Sequence, residues 1–320
     1  MDVTFEDVLA AQVRIAPFVR RTPVLTSRQL DERVGAHVHL KCESFQRVGA
    51  FKYRGATNAV QSLAEDVARR GVACHSSGNH GQALALAARD RTIDAYIVMP
   101  ADASAVKRAA VAGYGARIVD CEPTQQSREA TLERVLADTG AVEIHPYDNP
   151  RIIAGAGTAA LELLQDHPEL DVVVAPVGGG GLLSGTALAV SGSRSKAKVW
   201  GAEPAADDDA HRSFATGMLE PSSTAVTVAD GLLTSLSERT FAIIRAHVAA
   251  IPTVSDVAII DAMRFLWERM KLVVEPSGAV PLAAVFQAAE AGQLPGDQVG
   301  VILSGGNVDL DRLPWAAGIQ

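Results

Sequence analysis

Short apolar runs alternate with Ala- and Leu-rich stretches along most of this chain, and few folds accept that alternation. Val72-Ala73-Cys74-His75, Ala95-Tyr96-Ile97-Val98-Met99, Ala116-Arg117-Ile118-Val119, Asp171-Val172-Val173-Val174-Ala175 and Val299-Gly300-Val301-Ile302-Leu303 each have the length of a strand. A strand that is apolar on both faces must be covered on both faces. Repeated strand–helix pairs predict parallel βαβ units and an α/β fold class. With 320 residues, 48% of them apolar and 21% charged, the chain has enough material for such a core and room for two lobes.

The flanks are punctuated differently. Helical periodicity runs through Phe5, Val8, Leu9 and Val13 and stops at Pro17. Thr22-Pro23-Val24-Leu25 is extended, as a residue before proline should be, and Val38-His39-Leu40-Lys41-Cys42 alternates like a strand. His145-Pro146-Tyr147-Asp148-Asn149-Pro150 breaks the pattern and marks a crossing between lobes, with the next helix expected from roughly Thr158 to Leu164. Lys plus Arg minus Asp plus Glu is 29 − 37 = −8, which gives no basic footprint for nucleic acid. No apolar run spans a bilayer, and the acidic start Met1-Asp2-Val3-Thr4-Phe5-Glu6-Asp7 has no signal-peptide core. Cys42, Cys74 and Cys121 are odd in number and widely spaced, which predicts a reducing compartment, the cytoplasm.

Five stretches carry chemistry. Lys52 stands between Phe51 and Tyr53 at the start of a helical run. An amine in apolar surroundings loses solvation of its charged form and becomes a nucleophile suited to a Schiff base. The alternative is an amphipathic lysine with its head in water. Gly178-Gly179-Gly180-Gly181 lies between a strand and a helix opening at Leu182, where inward N–H groups and the helix dipole make a phosphate cradle rather than a flexible turn. It is neither the dinucleotide fingerprint nor a Walker loop. Ser76-Ser77-Gly78-Asn79-His80 follows a strand and suits a carboxylate; a helix cap through Ser77 or Asn79 is compatible with that. Ser304 ends the last strand, where its hydroxyl can face a ring nitrogen or simply begin a turn. Glu203, Asp207 and Asp209 form either an oxygen-rich site for Mg²⁺ or Ca²⁺ or an acidic surface loop.

Read together, the lysine, the glycine loop and the terminal serine resemble the fold-type II pyridoxal-phosphate enzymes. Within them the chain is similar to the serine racemase, serine–threonine dehydratase and 3-hydroxyaspartate dehydratase group. The likeness runs from about Thr4 to past Leu310. It includes Phe45-Gln46, Gly49-Ala50-Phe51-Lys52-Tyr53-Arg54-Gly55-Ala56, Ser76-Ser77-Gly78-Asn79-His80, Ala154-Gly155-Ala156-Gly157-Thr158, Pro176-Val177-Gly178-Gly179-Gly180-Gly181, Ala229-Asp230-Gly231 and Ser304-Gly305-Gly306-Asn307. The resemblance implies the tryptophan-synthase-β-like architecture, two open, twisted, mostly parallel sheets flanked by helices. Residues 1–68 and 148–320 would form a large cofactor domain, and 69–147 a small domain closing over the substrate.

The same resemblance assigns roles. Lys52 would carry pyridoxal 5'-phosphate and act as a base; Phe51 would pack beside the ring, Asn79 bond its hydroxyl and Ser304 meet its nitrogen. Gly178 to Gly181 with Leu182 would bind the phosphate. Ser76, Ser77, Gly78, Asn79 and His80 would hold the substrate carboxylate, with Ser77 matching the racemases' second acid/base. Glu203, Asp207 (through its backbone carbonyl) and Asp209 would bind a divalent cation, Mg²⁺ first and Ca²⁺ or Mn²⁺ next. Arg128 matches an arginine that reaches a second carboxylate, although it also reads as a helix-surface residue beside Glu129.

Three positions depart from the group's pattern. Tyr147 replaces an asparagine of mammalian-type racemases, Ala156 a glutamine, and Arg47-Val48 the Lys-Thr that helps bind nucleotide. The expected activity is dehydration of L-serine, L-threonine or 3-hydroxyaspartate to a 2-oxo acid and ammonia. Serine racemisation is the runner-up and a non-catalytic cofactor-binding protein the reading from another class. The resemblance also implies a homodimer acting on a small amino acid, with no nucleic-acid or membrane partner.

Overall fold

The computed structural model describes residues 3–103, 105–223 and 226–315. Helix α1 (Phe5–Ile15) leads to strand β1 (Val24–Leu25), helix α2 (Arg28–Val34) and strand β2 (His37–Cys42). Two tight turns then reach α3 (Lys52–Gln61) and the single turn α4 (Glu65–Ala68). Next come β3 (Val72–His75), α5 (Asn79–Asp90), β4 (Ala95–Pro100), α6 (Ala105–Gly113), β5 (Arg117–Cys121), α7 (Gln125–Thr139) and β6 (Val142–Glu143). The chain continues with α8 (Pro150–Asp166), β7 (Val172–Pro176), α9 (Gly181–Gly192), β8 (Lys198–Pro204) and α10 (Asp209–Thr216). It ends with α11 (Glu238–His247), β9 (Thr253–Val254), α12 (Asp256–Met270), α13 (Pro276–Glu290) and β10 (Gln298–Leu303).

These strands form two sheets. One has the order β1-β2-β10-β7-β8-β9, the other β5-β4-β3-β6. Every pairing is parallel except that of β1 with β2. Both are therefore mostly parallel sheets flanked by helices, the α/β class that the alternation predicts. In β7, Val173 and Ala175 enter the core under α8 and α9, while Val172 and Val174 enter the core under α12 and α13. That two-sided burial is why the run is apolar at every position. The smaller sheet repeats the arrangement, with Val72 and Cys74 on one face and Ala73 on the other.

Two local expectations are corrected. Helix α8 begins at Pro150, eight residues before Thr158. The Asn149 side chain accepts from the N–H groups of Arg151 and Ile152, and Pro150 occupies the first helical position, where a missing N–H costs nothing. In α1 the buried face is Val8, Ala11 and Ile15, whereas Leu9 and Val13 are exposed.

Small residues let α3, α8 and α9 cross closely beneath the site. A Cβ on Gly155 would lie 2.6 Å from the Arg54 carbonyl oxygen, and one on Gly157 2.6 Å from that of Gly185. Ala156, where the family pattern has glutamine, is buried in the same core. Under α3 lies a fully buried ion network. Arg54 donates to both Glu43 oxygens (2.8 and 2.9 Å) and to both Glu162 oxygens (2.8 Å each), and Lys41 donates to Glu162 (2.6 Å). Cys42, Cys74 and Cys121 are buried free thiols. Among the described residues, no helix is long and apolar enough to cross a membrane.

Candidate active site

The beginning of α3 is laced to the end of β10. The Phe51 N–H donates to the Ser304 carbonyl (2.9 Å), and the Gly306 N–H to that of Gly49 (2.9 Å). Gly49 has φ 71°, a conformation that favours glycine, so the turn delivers Lys52 as the first residue of the helix. The Lys52 Nζ donates to the Pro146 carbonyl (3.0 Å) and lies 5.1 Å from the Phe51 ring centroid. Burial lowers its pKa to about 8, against a smaller opposing pull from the Glu275 carboxylate.

The residue after Pro146 joins this lysine to the glycine loop. The Tyr147 ring lies against Gly179, where a Cβ would come within 2.4 Å of its atoms. A Cβ on Gly178 would meet the Leu232 carbonyl at 2.8 Å, and one on Gly180 would meet Leu236 at 2.8 Å. Gly180 caps α9 at φ 83°. Side chains are thus excluded at these positions by packing, and the loop runs directly into the first turn of α9 with Leu182 buried behind it, the arrangement in which a helix N-terminus takes an anion.

The Ser76–Asn79 loop approaches from the end of β3, where ligands of open α/β sheets bind. Gly78 is the cap of α5 and no side chain caps it, so neither Ser77 nor Asn79 serves in that role. Asn79 instead donates to Glu275 Oε1 (2.8 Å) and accepts from Asn307 (2.8 Å). Ser76 accepts from the Gly78 N–H (3.3 Å). Ser77 is half-buried and forms no hydrogen bond among the described residues. His80 is buried in the first turn of α5, and its Nε2 donates to the Ile144 carbonyl (2.7 Å). Burial, then the nearby Lys52 charge, pushes its pKa down to about 3, so it acts as a neutral post behind the loop. Ser304 is buried, and its hydroxyl has no hydrogen-bond partner among the described residues.

Arg128 lies in the first turn of α7 and is half-buried rather than splayed into solvent. Its Nε is buried without a hydrogen-bond partner among the described residues. Its charge bears on His75, at the end of β3, and on Cys121.

The three acidic residues lie apart, beyond β8. The Glu203 carboxylate accepts from the N–H groups of Ala210 (2.9 Å) and His211 (2.7 Å) at the start of α10. Burial raises its pKa to about 8, and that of Asp209 to about 6, the latter with help from Asp207. The Asp207 carboxylate accepts from the Ser222 hydroxyl (2.9 Å) and the Ser223 N–H (2.7 Å), and its charge also raises the pKa of Asp209. Buried carboxylates with raised pKa values fit a hard divalent cation.

Sequence reasoning missed Glu275, His145 and the Pro146 carbonyl. Glu275 is buried before α13, and burial with the Asp230 charge raises its pKa to about 8. A carboxylate in the apolar run Leu272-Val273-Val274 was the available signal. His145 Nδ1 accepts from the Asp148 N–H (2.9 Å) and folds the turn that presents Pro146 to Lys52. A lysine with a depressed pKa, a glycine loop at a helix start where packing admits no Cβ, and a serine hydroxyl without a hydrogen-bond partner among the described residues together fit pyridoxal 5'-phosphate.

Known proteins resemble this chain along nearly its whole length. The profile of the family described as pyridoxal-phosphate dependent enzyme matches residues 15–305. A beta-hydroxyaspartate dehydratase of Paracoccus denitrificans is 50% identical over 312 residues, covering 98% of each chain. An L-threo-3-hydroxyaspartate ammonia-lyase of Saccharomyces cerevisiae is 49% identical, over 97% of this chain and 94% of that one. The crystal structure of serine racemase from Dictyostelium discoideum superposes with a TM-score of 0.93 at 43% identity, covering 97% of this chain and all of that one. Two mostly parallel sheets around a buried lysine, in a chain whose residues 15–305 match the family profile, make this chain a member of the pyridoxal-phosphate dependent enzyme family.

Proposed function

We propose that this enzyme is an ammonia-lyase that dehydrates a β-hydroxy amino acid, with 3-hydroxyaspartate preferred over L-serine and L-threonine. The observation that carries the preference is Arg128, a half-buried guanidinium beside the end of β3 whose Nε has no partner among the described residues. A dicarboxylate substrate supplies that partner in bidentate form. The relatives named for hydroxyaspartate point the same way.

The residues divide the work. Lys52 would hold the cofactor, and its amine would serve as the base that takes the α-proton. The N–H groups and hydroxyls of Ser76, Ser77, Gly78 and Asn79 hold the α-carboxylate. Gly178, Gly179, Gly180, Gly181 and Leu182 would receive the phosphate, with Phe51 and Ser304 on the side of the ring. Bound pyridoxal phosphate supplies the electron sink that makes the α-proton removable. Loss of the β-hydroxyl releases one water, and hydrolysis of the dehydrated product consumes one, which leaves a 2-oxo acid and ammonia with no net water. Glu275, whose burial raises its pKa to about 8, accepts from the Asn79 amide and orients it.

Further assignments rest on this reading. Glu203, the Asp207 carbonyl and Asp209 hold Mg²⁺, with Ca²⁺ or Mn²⁺ as substitutes. Residues 69–147 move as a small domain over the substrate, against 1–68 and 148–320. The enzyme is a cytoplasmic homodimer. Serine racemisation is the second reading, favoured by the free hydroxyl of Ser77 in the substrate loop.

The test follows 2-oxo acid and ammonia release from L-serine, L-threonine and the 3-hydroxyaspartate stereoisomers, with Mg²⁺ and with EDTA. Fast release from hydroxyaspartate supports the proposal, and loss with EDTA supports the cation. D-serine from L-serine without ammonia release overturns it in favour of racemisation.

A further inference from the structure

Away from the lysine site, two histidines and a glutamate meet where β2 passes the end of α8. His39 projects from β2; His167 follows the last turn of α8, and Glu169 lies two residues on. The imidazole rings of His39 and His167 stack at 4.0 Å between centroids with a 41° tilt. One donor atom from each of His39, His167 and Glu169 falls within 4.8 Å of the others.

The hydrogen bonds around this group are lopsided. His39 is only 9% exposed. Its Nε2 meets the Gln298 Oε1 at 3.1 Å, and a carboxamide oxygen only accepts, so Nε2 carries the proton. The Nδ1 is then a bare lone pair, and it is buried with no hydrogen-bond partner among the described residues. A buried acceptor left unmade is costly, and native interiors rarely leave one. On the other side, His167 Nδ1 lies 3.2 Å from Glu169 Oε1. Adjacent ligands on a tetrahedral zinc ion, with bonds of about 2.0–2.1 Å, stand about 3.3 Å apart.

We propose that His39, His167 and Glu169 form a binding site for a first-row transition ion of the Zn²⁺ type, separate from the lysine site and from the acidic residues beyond β8. Two imidazole nitrogens and one carboxylate select such an ion over Mg²⁺ or Ca²⁺, which prefer all-oxygen sites. Gln298 is the outer partner that orients a ligating imidazole through its other nitrogen. Glu169 is exposed, which gives the ion a path in and leaves a fourth position for water. The ion would clip β2 to the α8–β7 connection, next to the buried network in which Lys41 of β2 already holds Glu162 of α8. Its role is to join these elements and it takes no part in the chemistry.

Equilibrium dialysis of the holoenzyme against micromolar Zn²⁺, with millimolar Mg²⁺ filling the oxygen-rich site, tests this. Wild type should retain one more zinc ion per chain than His167→Gln or Glu169→Gln, and zinc should raise the melting temperature of wild type alone. Gln298→Leu should bind that ion about 10- to 100-fold more weakly. His167 and Glu169 sit at the surface, so these variants should fold and turn over substrate as wild type does. Equal zinc retention by wild type and both ligand variants, or none by wild type, overturns the proposal and leaves a stacked histidine pair.

Discussion

Lys52 differs from an ordinary lysine by one physical quantity, the solvation its ammonium loses. With a pKa of about 8, roughly a tenth of the amine is neutral at pH 7, against on the order of 0.04% for an unperturbed lysine. The sign follows directly: raising pH through about 8 removes the proton and exposes the nucleophile. The rate at which apoenzyme takes up pyridoxal phosphate should therefore rise with pH and reach half its maximum near 8, read from cofactor absorbance in stopped flow. A half-maximum near 10 would mean that the amine is solvated. Lys52→Ala should lose both the lysine-linked absorbance and turnover. For Arg128→Ala we expect KM for 3-hydroxyaspartate to rise by about 10- to 100-fold, the worth of a hydrogen bond to a charged group. Kinetics with L-serine, which lacks the second carboxylate, should stay put. Unchanged hydroxyaspartate kinetics would return Arg128 to the helix surface.

Helix α3 is held from beneath by charge and from the side by close contact. Replacing Arg54 with Met leaves Glu43 and Glu162 buried without their guanidinium, which should cost about 3–5 kcal/mol in urea unfolding. At the α8–α9 crossing, Gly157→Ala puts a methyl 2.6 Å from a backbone oxygen and should destabilise by about 1–3 kcal/mol. The glycines here were visible in the sequence, but their partners were not. Periodicity also misplaced the start of α8, because two prolines read as a break. Only the capping geometry of Asn149 shows that the second proline opens a helix. The Arg47 side chain has a similar history. It is engaged by Asp90 (2.6 Å), the Tyr53 hydroxyl and the Phe18 carbonyl, a structural role that its place in a ligand motif did not reveal.

At the scale of the molecule, polar contacts tie the smaller sheet and its helices to the rest of the chain: Asp90 of α5 takes Arg47 and the Tyr53 hydroxyl, and Lys52 reaches the Pro146 carbonyl. Asn79 reaches Glu275 and Asn307, and Lys107 of α6 pairs with Asp230 at 3.0 Å. If the smaller sheet closes over the substrate, that pair is part of the clasp. An exposed ion pair is worth about 0.2–1 kcal/mol, so Asp230→Asn should raise KM by no more than about fivefold. A change confined to kcat, or a KM shift far beyond that, would assign Asp230 a different role.

The alternation of apolar runs with helical stretches, the glycines after β7, Lys52 after its Gly-Ala turn and the serine ending β10 were all legible in the sequence. Each is a local property: burial on two faces, freedom from a Cβ, or a residue at the end of a strand. The Pro146 carbonyl that meets Lys52, the buried Glu275 beside Asn79, the half-buried Arg128 and the bare nitrogen of His39 were decided only by tertiary structure. Glu275 and Asn79 are 196 residues apart in the chain, and His39 and Gln298 are 259 apart. Desolvation and charge pairing depend on which distant segments share a volume, and no short-range pattern carries that information.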